Sequence, residues 1–227
     1  MSGWWRPLLA VVWKDLVVEL RTGQRIAAMG AFAVLAGVLF HYALVPSGAR
    51  PQDLASTLIW ITIIFSGTLG IGRTFELEDE NGAFAGVLLS PIPRDALYLA
   101  KVVSNLLLVL VTLALVVFVF ALFFSIDLGR SPLALCAALG LGSIGFVGTG
   151  TLFAAVTVRS SMGGTLLPVL LFPVLVPVIV FGATSTSRLL AGLGPSEVAG
   201  PLRLLAAYAL VSLATGALLF RYVVDDG

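Results

Sequence analysis

Few residues of this 227-residue chain carry side chains suited to covalent or acid–base chemistry, and their spacing argues against catalysis. His41 is the sole histidine and Cys136 the sole cysteine. No nucleophile, base and orienting acid can be assembled around a histidine at the edge of an apolar run. One cysteine also excludes a disulfide framework, a thiolate cluster and a Cys-x-x-Cys-His attachment motif. Neither Lys14 nor Lys101 follows a glycine, and no Gly-x-x-x-x-Gly-Lys-Ser/Thr run occurs, so the chain has no P-loop for ATP. The expectation is a protein that is not an enzyme and draws any energy it uses from another chain.

The polar residues that do form a pattern lie in residues 73–101, RTFELEDENGAFAGVLLSPIPRDALYLAK. Glu76, Glu78, Asp79 and Glu80 come first, then Asn81-Gly82, then Phe84, Val87, Leu88 and Leu89, and Ser90-Pro91-Ile92-Pro93 stops the run. Leu77, Phe84 and Leu88 would align on one helical face, because positions four and seven apart do so. Acids at the start would suit the positive helix end, and the residue before a proline resists helix. Two readings fit: a short amphipathic helix offered to a soluble partner, or an elbow that only bends the chain between spans.

The elements that must hold this stretch are membrane spans. The chain is 59% hydrophobic and 11% charged, against roughly 25% charged in soluble domains. Its apolar runs approach the ~20 residues that cross a bilayer. Six are expected, at 26–45, 54–72, 102–124, 133–158, 166–181 and 204–224, in one all-α polytopic domain over 1–227. Ahead of them, residues 1–25 place Trp5, Leu8, Leu9, Val12, Leu16 and Leu20 among Arg6, Lys14, Asp15, Glu19 and Arg21, the pattern of an interfacial amphipathic helix. No cleaved secretory signal is expected, since the first apolar run follows a charged segment.

Six spans put both termini on one side, and basic residues choose it. Arg6, Lys14, Arg21, Arg25, Arg73, Arg94, Lys101, Arg159 and Arg221 would face the cytoplasm, leaving Arg50, Arg130, Arg188 and Arg203 outside. Residues 73–101 are then cytoplasmic, and 182–203 form the longest outer loop. A net charge of +1 is too balanced to argue for nucleic acid.

Within the spans, Asn105 reads as inter-helix glue or as a substrate contact, and Thr57, Thr62, Ser66 and Thr68 can bond backbone. His41 reads as a polar edge residue or as a haem or metal ligand. Gly142 and Gly145, in a glycine-dense fourth span, suit close helix packing or a moving seam. Pro168, Pro173 and Pro177 suit a fixed kink or a hinge in the fifth. Apart from Arg221 near the inner end of the sixth, no Asp, Glu, Lys or Arg falls inside the spans as drawn, which disfavours an ion-coupled carrier.

Residues 78–91, with their acids, Asn81-Gly82, Leu88-Leu89 and Ser90-Pro91, resemble the coupling helix of ABC-2-type exporter permeases. Lys101 stands where those proteins often open the third span with lysine. Residues 159–182 are more specific: a turn RSSMGG, then Leu-Leu-Pro, Phe-Pro-Val-Leu-Val-Pro-Val and Phe-Gly. They resemble the haem exporter B permeases (CcmB) of cytochrome c maturation. Lys14-Asp15-Leu16, Glu19-Leu20-Arg21 and the length also fit. Ala85 and Gly86 depart from the superfamily, which often has an acid there, and the tryptophan-rich haem-handling motif of the sister subunit is absent.

The resemblance implies a six-helix permease of the bacterial inner membrane, paired with a second copy. Two cytoplasmic ATPase subunits would grip it, and it would associate with a haem-handling membrane subunit and a periplasmic haem chaperone. ATP would bind the ATPase, haem would be handled by the complex, and neither would be held by this chain. A single His41 agrees, since one copy cannot supply two histidine axial ligands. Leu77, Phe84, Val87 and Leu88 would dock in the ATPase, with Glu78, Asp79 and Glu80 on the rim. A generic exporter of lipid, polysaccharide or drug, and a scaffold that transports nothing, are the alternatives.

Overall fold

A computed structural model describes residues 4–44, 51–80, 86, 92–128, 131–158 and 163–225. Seven long helices account for nearly all of them: α1 Trp5–Thr22, α2 Gln24–Leu44, α3 Pro51–Glu80, α4 Arg94–Phe124, α5 Pro132–Thr157, α6 Gly163–Leu190 and α7 Pro195–Asp225. No strand occurs among the described residues. Six helices, α2 to α7, are long and apolar enough to cross a membrane. The protein is therefore an all-α, multi-pass membrane protein.

The spans make a bundle with α3, α4 and α5 at its centre. The α4 helix touches α1, α2, α3, α5 and α7, while α6 lies against α3, α5 and α7. At 31 residues, α4 is about 46 Å long at 1.5 Å per residue. That exceeds a hydrocarbon core of about 30 Å, so one end of α4 stands clear of it.

The first helix divides its surface three ways. Leu8, Val11, Val12 and Glu19 are buried, and the helix rests on α4. Trp5, Leu9, Trp13 and Leu20 form an adjacent exposed apolar stripe, and Arg6, Lys14 and Arg21 occupy the remaining sector. A helix with one flank packed, one apolar and one charged suits a bilayer surface. It ends at Gly23, whose φ of 61° is left-handed and whose N–H donates to Glu19 O at 2.7 Å.

The fifth span departs most from expectation. Its helix runs to Leu190, so 182–190, read as loop, is helical, and α7 starts at Pro195 rather than near 204. Only 191–194 separate the two. Thr184 and Ser185 donate to the carbonyls of Val180 and Phe181 four residues back, so a Ser/Thr-rich run that looks like a loop stays in the helix. The true stop is Gly192, at φ 87°, with Leu193 N donating to Arg188 O and Gly192 N to Leu189 O. That is the double closure of a left-handed glycine cap. Pro168, Pro173 and Pro177 all lie within the helix.

Gly142 and Gly145 sit under aromatic rings. A Cβ on Gly142 would overlap the Trp60 indole, which also covers Gly182, and one on Gly145 would overlap Tyr208. Trp60 is thereby wedged between α5 and α6, fully buried, with its Nε1–H donated to Thr186 Oγ1 at 3.1 Å. Overpacking a filled site costs about 1–3 kcal/mol. Gly142→Ala is therefore expected to lower the thermal midpoint of the detergent-purified protein. Adding Trp60→Leu should return part of the loss, and equal midpoints for wild type and Gly142→Ala would refute the wedge.

Candidate functional site

The acidic stretch divides between described and undescribed residues. Leu77, Glu78, Asp79 and Glu80 lie on the last turn of α3, continuous with the second span. Phe84, Val87 and Leu88 lie outside the described residues. What the structure does show is the part of the bundle to which both flanks of the stretch are attached.

There, inside the end of α3, a set of polar side chains is buried among four helices, α2 to α5. Arg25 on α2 donates from Nε to Gly70 O at 2.9 Å and from Nη2 to Thr74 Oγ1 at 3.1 Å, both on α3. The same Nη2 donates to Asn105 Oδ1 on α4. Thr74 Oγ1 donates to that oxygen at 2.9 Å, and Asn105 Nδ2 donates to Thr151 Oγ1 on α5 at 3.0 Å. With two donors facing one side and an acceptor the other, the Asn105 amide has one self-consistent orientation. Asn105 is fully buried and Arg25 nearly so. Asn105 thus acts as the expected inter-helix glue.

A second knot attaches α1. Lys101 on α4, only 1% exposed, donates to both carboxylate oxygens of Asp15, at 3.0 and 3.2 Å. Lys14 Nζ reaches the same carboxylate at 3.1 Å. Lys101 also lies 5.6 Å from the Phe75 ring centre, a cation–π distance. Buried Glu19 accepts the Ile26 N–H at 3.0 Å, satisfying one of the free donors at the start of α2. Beside this, Phe75, Phe220 and Tyr98 follow one another as tilted ring pairs, with centres 6.1 and 5.6 Å apart, and Tyr98 Oη donates to Gly148 O at 3.0 Å.

Sequence reasoning missed these charged members. Drawing the first span from 26 and the third from 102 left Arg25 and Lys101 just outside, whereas the helices begin at Gln24 and Arg94. A signal was present. Lys101 and Asn105 are four apart and share a face, and an amphipathic helix carrying Asp15 and Glu19, also four apart, had charges to pair with it.

The remaining candidates are dispersed. His41 lies near the other end of α2, its ring 5.2 Å from that of Phe123 and 5.5 Å from Tyr42. Cys136 is an exposed thiol near the start of α5. No group of three His, Cys, Asp or Glu that could hold a metal occurs among the described residues. The knots hold helix against helix, and they fix the register of α1 to α5.

Removing one partner of a buried pair typically costs about 3–5 kcal/mol, while replacing both by apolar groups costs far less. Asp15→Asn is therefore expected to lower the thermal midpoint sharply, and Asp15→Leu with Lys101→Met to recover most of it. A midpoint for Asp15→Asn equal to wild type would show that the pair holds nothing.

The model of the CcmB protein family matches residues 6–224. Heme exporter protein B of Paracoccus denitrificans is 31% identical over 209 residues, spanning 92% of this chain and 93% of the relative. Heme exporter protein B of Bradyrhizobium diazoefficiens is 27% identical over 210 residues, with the same coverage. That of Rhodobacter capsulatus is 29% identical over 205 residues, 90% of this chain and 92% of the relative.

Proposed function

The chain belongs to the CcmB protein family, and from that premise we propose that it is the non-catalytic permease subunit of a transporter complex for haem export and cytochrome c maturation. In this reading ATP is hydrolysed on a partner ATPase bound at the cytoplasmic face. The work is delivered through residues 73–101 and used to handle haem or to release a haem-loaded chaperone on the far side. The permease acts as a pair, beside a haem-handling membrane subunit, in the bacterial inner membrane with both termini cytoplasmic. Haem is cargo of the complex.

The observation that carries the proposal is the seating of α3 and α4. Both flanks of the acidic stretch run directly into the buried polar knots, through Thr74 on one side and Lys101 and Asn105 on the other. A force delivered at these two helix ends would therefore pass to α1, α2 and α5. The names of the relatives supply the cargo, and the lack of any P-loop requires a second chain for ATP.

The test is recruitment. In Phe84→Asp, a charge placed on the apolar docking face should abolish co-purification of the ATPase, with membrane insertion and abundance unchanged. Normal co-purification overturns the docking assignment. Orientation is checked separately: in a Cys136→Ser background, Gly82→Cys should react with a membrane-impermeant maleimide in inverted vesicles and not in right-side-out ones.

A further inference from the structure

At the opposite end of the bundle, the start of α3 and the end of α6 flank an open-mouthed cavity of about 320 Å³ lined by Ser56, Thr57, Ala183, Thr184, Ser187 and Arg188. Ser56 lies about 27 Å along α3 from Thr74, at 1.5 Å per residue. The cavity is thus separate from the polar knots. Of its six described lining residues, five are hydroxyl-bearing or cationic and none is acidic.

The donors are held and unspent. Thr184 Oγ1 is tied to Val180 O, but the hydroxyls of Ser56, Thr57 and Ser187 make no hydrogen bond among the described residues. Ser56 keeps a hydroxyl in this wall although the residue is only 2% exposed. Arg188 Nη1 donates to Glu197 O at 3.0 Å, which fixes the guanidinium. A guanidinium has five N–H donors in a flat fork, so most remain for a ligand. Arg188 has no carboxylate partner among the described residues.

The contrast with Arg25 and Lys101 is informative. Those cations are consumed by neighbouring side chains in tight packing, whereas Arg188 faces open volume. At about 30 Å³ of liquid per water molecule, the cavity would hold roughly ten waters, so it is larger than a lone structural water needs. It also sits at the rim of the apolar windows, Leu54–Phe75 and Thr165–Leu190, which is headgroup depth.

We propose that this cavity is an oxyanion site: a phosphate or carboxylate held by the Arg188 fork and the hydroxyls of Ser56, Thr57 and Ser187. Planar, bidentate recognition of such groups is the chemistry for which arginine is suited. The depth favours the phosphate of a membrane lipid, and a soluble organic or inorganic anion would use the same donors. The proposal stands independently of the ATPase reading.

The test uses the full chain in nanodiscs of phosphatidylcholine containing phosphatidylglycerol, with lipid retained after detergent extraction measured by native mass spectrometry. In parallel, inorganic phosphate is titrated against the thermal midpoint of lipid-stripped protein. Wild type should retain phosphatidylglycerol selectively. Arg188→Gln should reduce retention roughly tenfold, as expected for loss of a charge-assisted bidentate contact, and Ser56→Ala should reduce it about threefold. Arg203→Gln, which removes an exposed charge on α7 away from the cavity, should retain as much as wild type. A midpoint raised by phosphate but no retained lipid would support the site with a soluble anion as its source. Equal retention and equal phosphate response in wild type and Arg188→Gln would overturn the proposal. Should Arg188→Gln fail to insert, Thr57→Val and Ser56→Ala decide it: unchanged binding in both is equally fatal.

Discussion

A charged or strongly polar side chain at membrane depth must be satisfied by protein, because hydrocarbon offers it nothing. By insertion measurements, Arg, Lys or Asp costs about 2.5–3.5 kcal/mol at a helix centre, less toward the ends. Arg25 and Lys101 lie near helix starts and are buried nonetheless, held by Gly70, Thr74 and Asn105 in one case and Asp15 in the other. Each hydrogen bond has a narrow geometry, so the group fixes register in a way that interchangeable apolar contacts do not. A slide of α2 by one turn, about 5.4 Å, would strand the Arg25 guanidinium and leave Asn105 Oδ1 with Thr74 as its one donor among those described. The same logic explains α1. Its apolar stripe alone would let it drift in the plane of the membrane, and Asp15 pins it to α4.

Away from these knots the bundle uses aromatic rings over glycine. Trp60 covers Gly142 and Gly182, Tyr208 covers Gly145, and Tyr98 covers Gly216. In each case the polar tip of the ring is also engaged: Trp60 with Thr186, Tyr208 with Val174 O, Tyr98 with Gly148 O. In lipid the apolar body of a ring gains little from mere burial, since acyl chains are as apolar as protein. What holds the helices together is close packing and a satisfied hydrogen bond, and a glycine recess supplies both. The glycine-dense α5 therefore supplies sockets for rings from α3 and α7, and α7 in turn supplies one for the ring from α4.

How far the sequence could be read follows from which signals are local. Six apolar runs and an amphipathic leading helix are properties of single segments, and the structure contains all six as helices. The continuation of α6 through 182–190 was hidden because serine and threonine look the same in a loop as in a helix where they back-bond to a carbonyl. Arg25 and Lys101 were placed at span edges because burial by residues far along the chain, such as Asn105 from Arg25 and Asp15 from Lys101, leaves no mark on local composition. Gly142 and Gly145 were read as contact points for another backbone. Which ring fills them depends on Trp60 and Tyr208, and no spacing along α5 reveals that.

The two ends of the bundle are built on opposite principles, and that asymmetry bears on how the molecule can work. At the end carrying α1, Arg25 and Lys101 are buried, paired and cross-linked through five helices. At the other end Arg188 is exposed beside the hydroxyl-bearing residues of the cavity, and the helices α6 and α7 meet through a four-residue turn capped by Gly192. Between the ends, α6 carries Pro173 and Pro177, each of which removes an internal hydrogen bond. Tyr208 anchors the carbonyl of Val174 between them. The backbone bonds that proline removes thus lie in α6, the helix that also lines the cavity shared with α3, whereas α3 and α4 are cross-linked at the opposite end. If the permease passes a push from one membrane face to the other, as we propose, α6 is the helix whose missing internal bonds would let it yield.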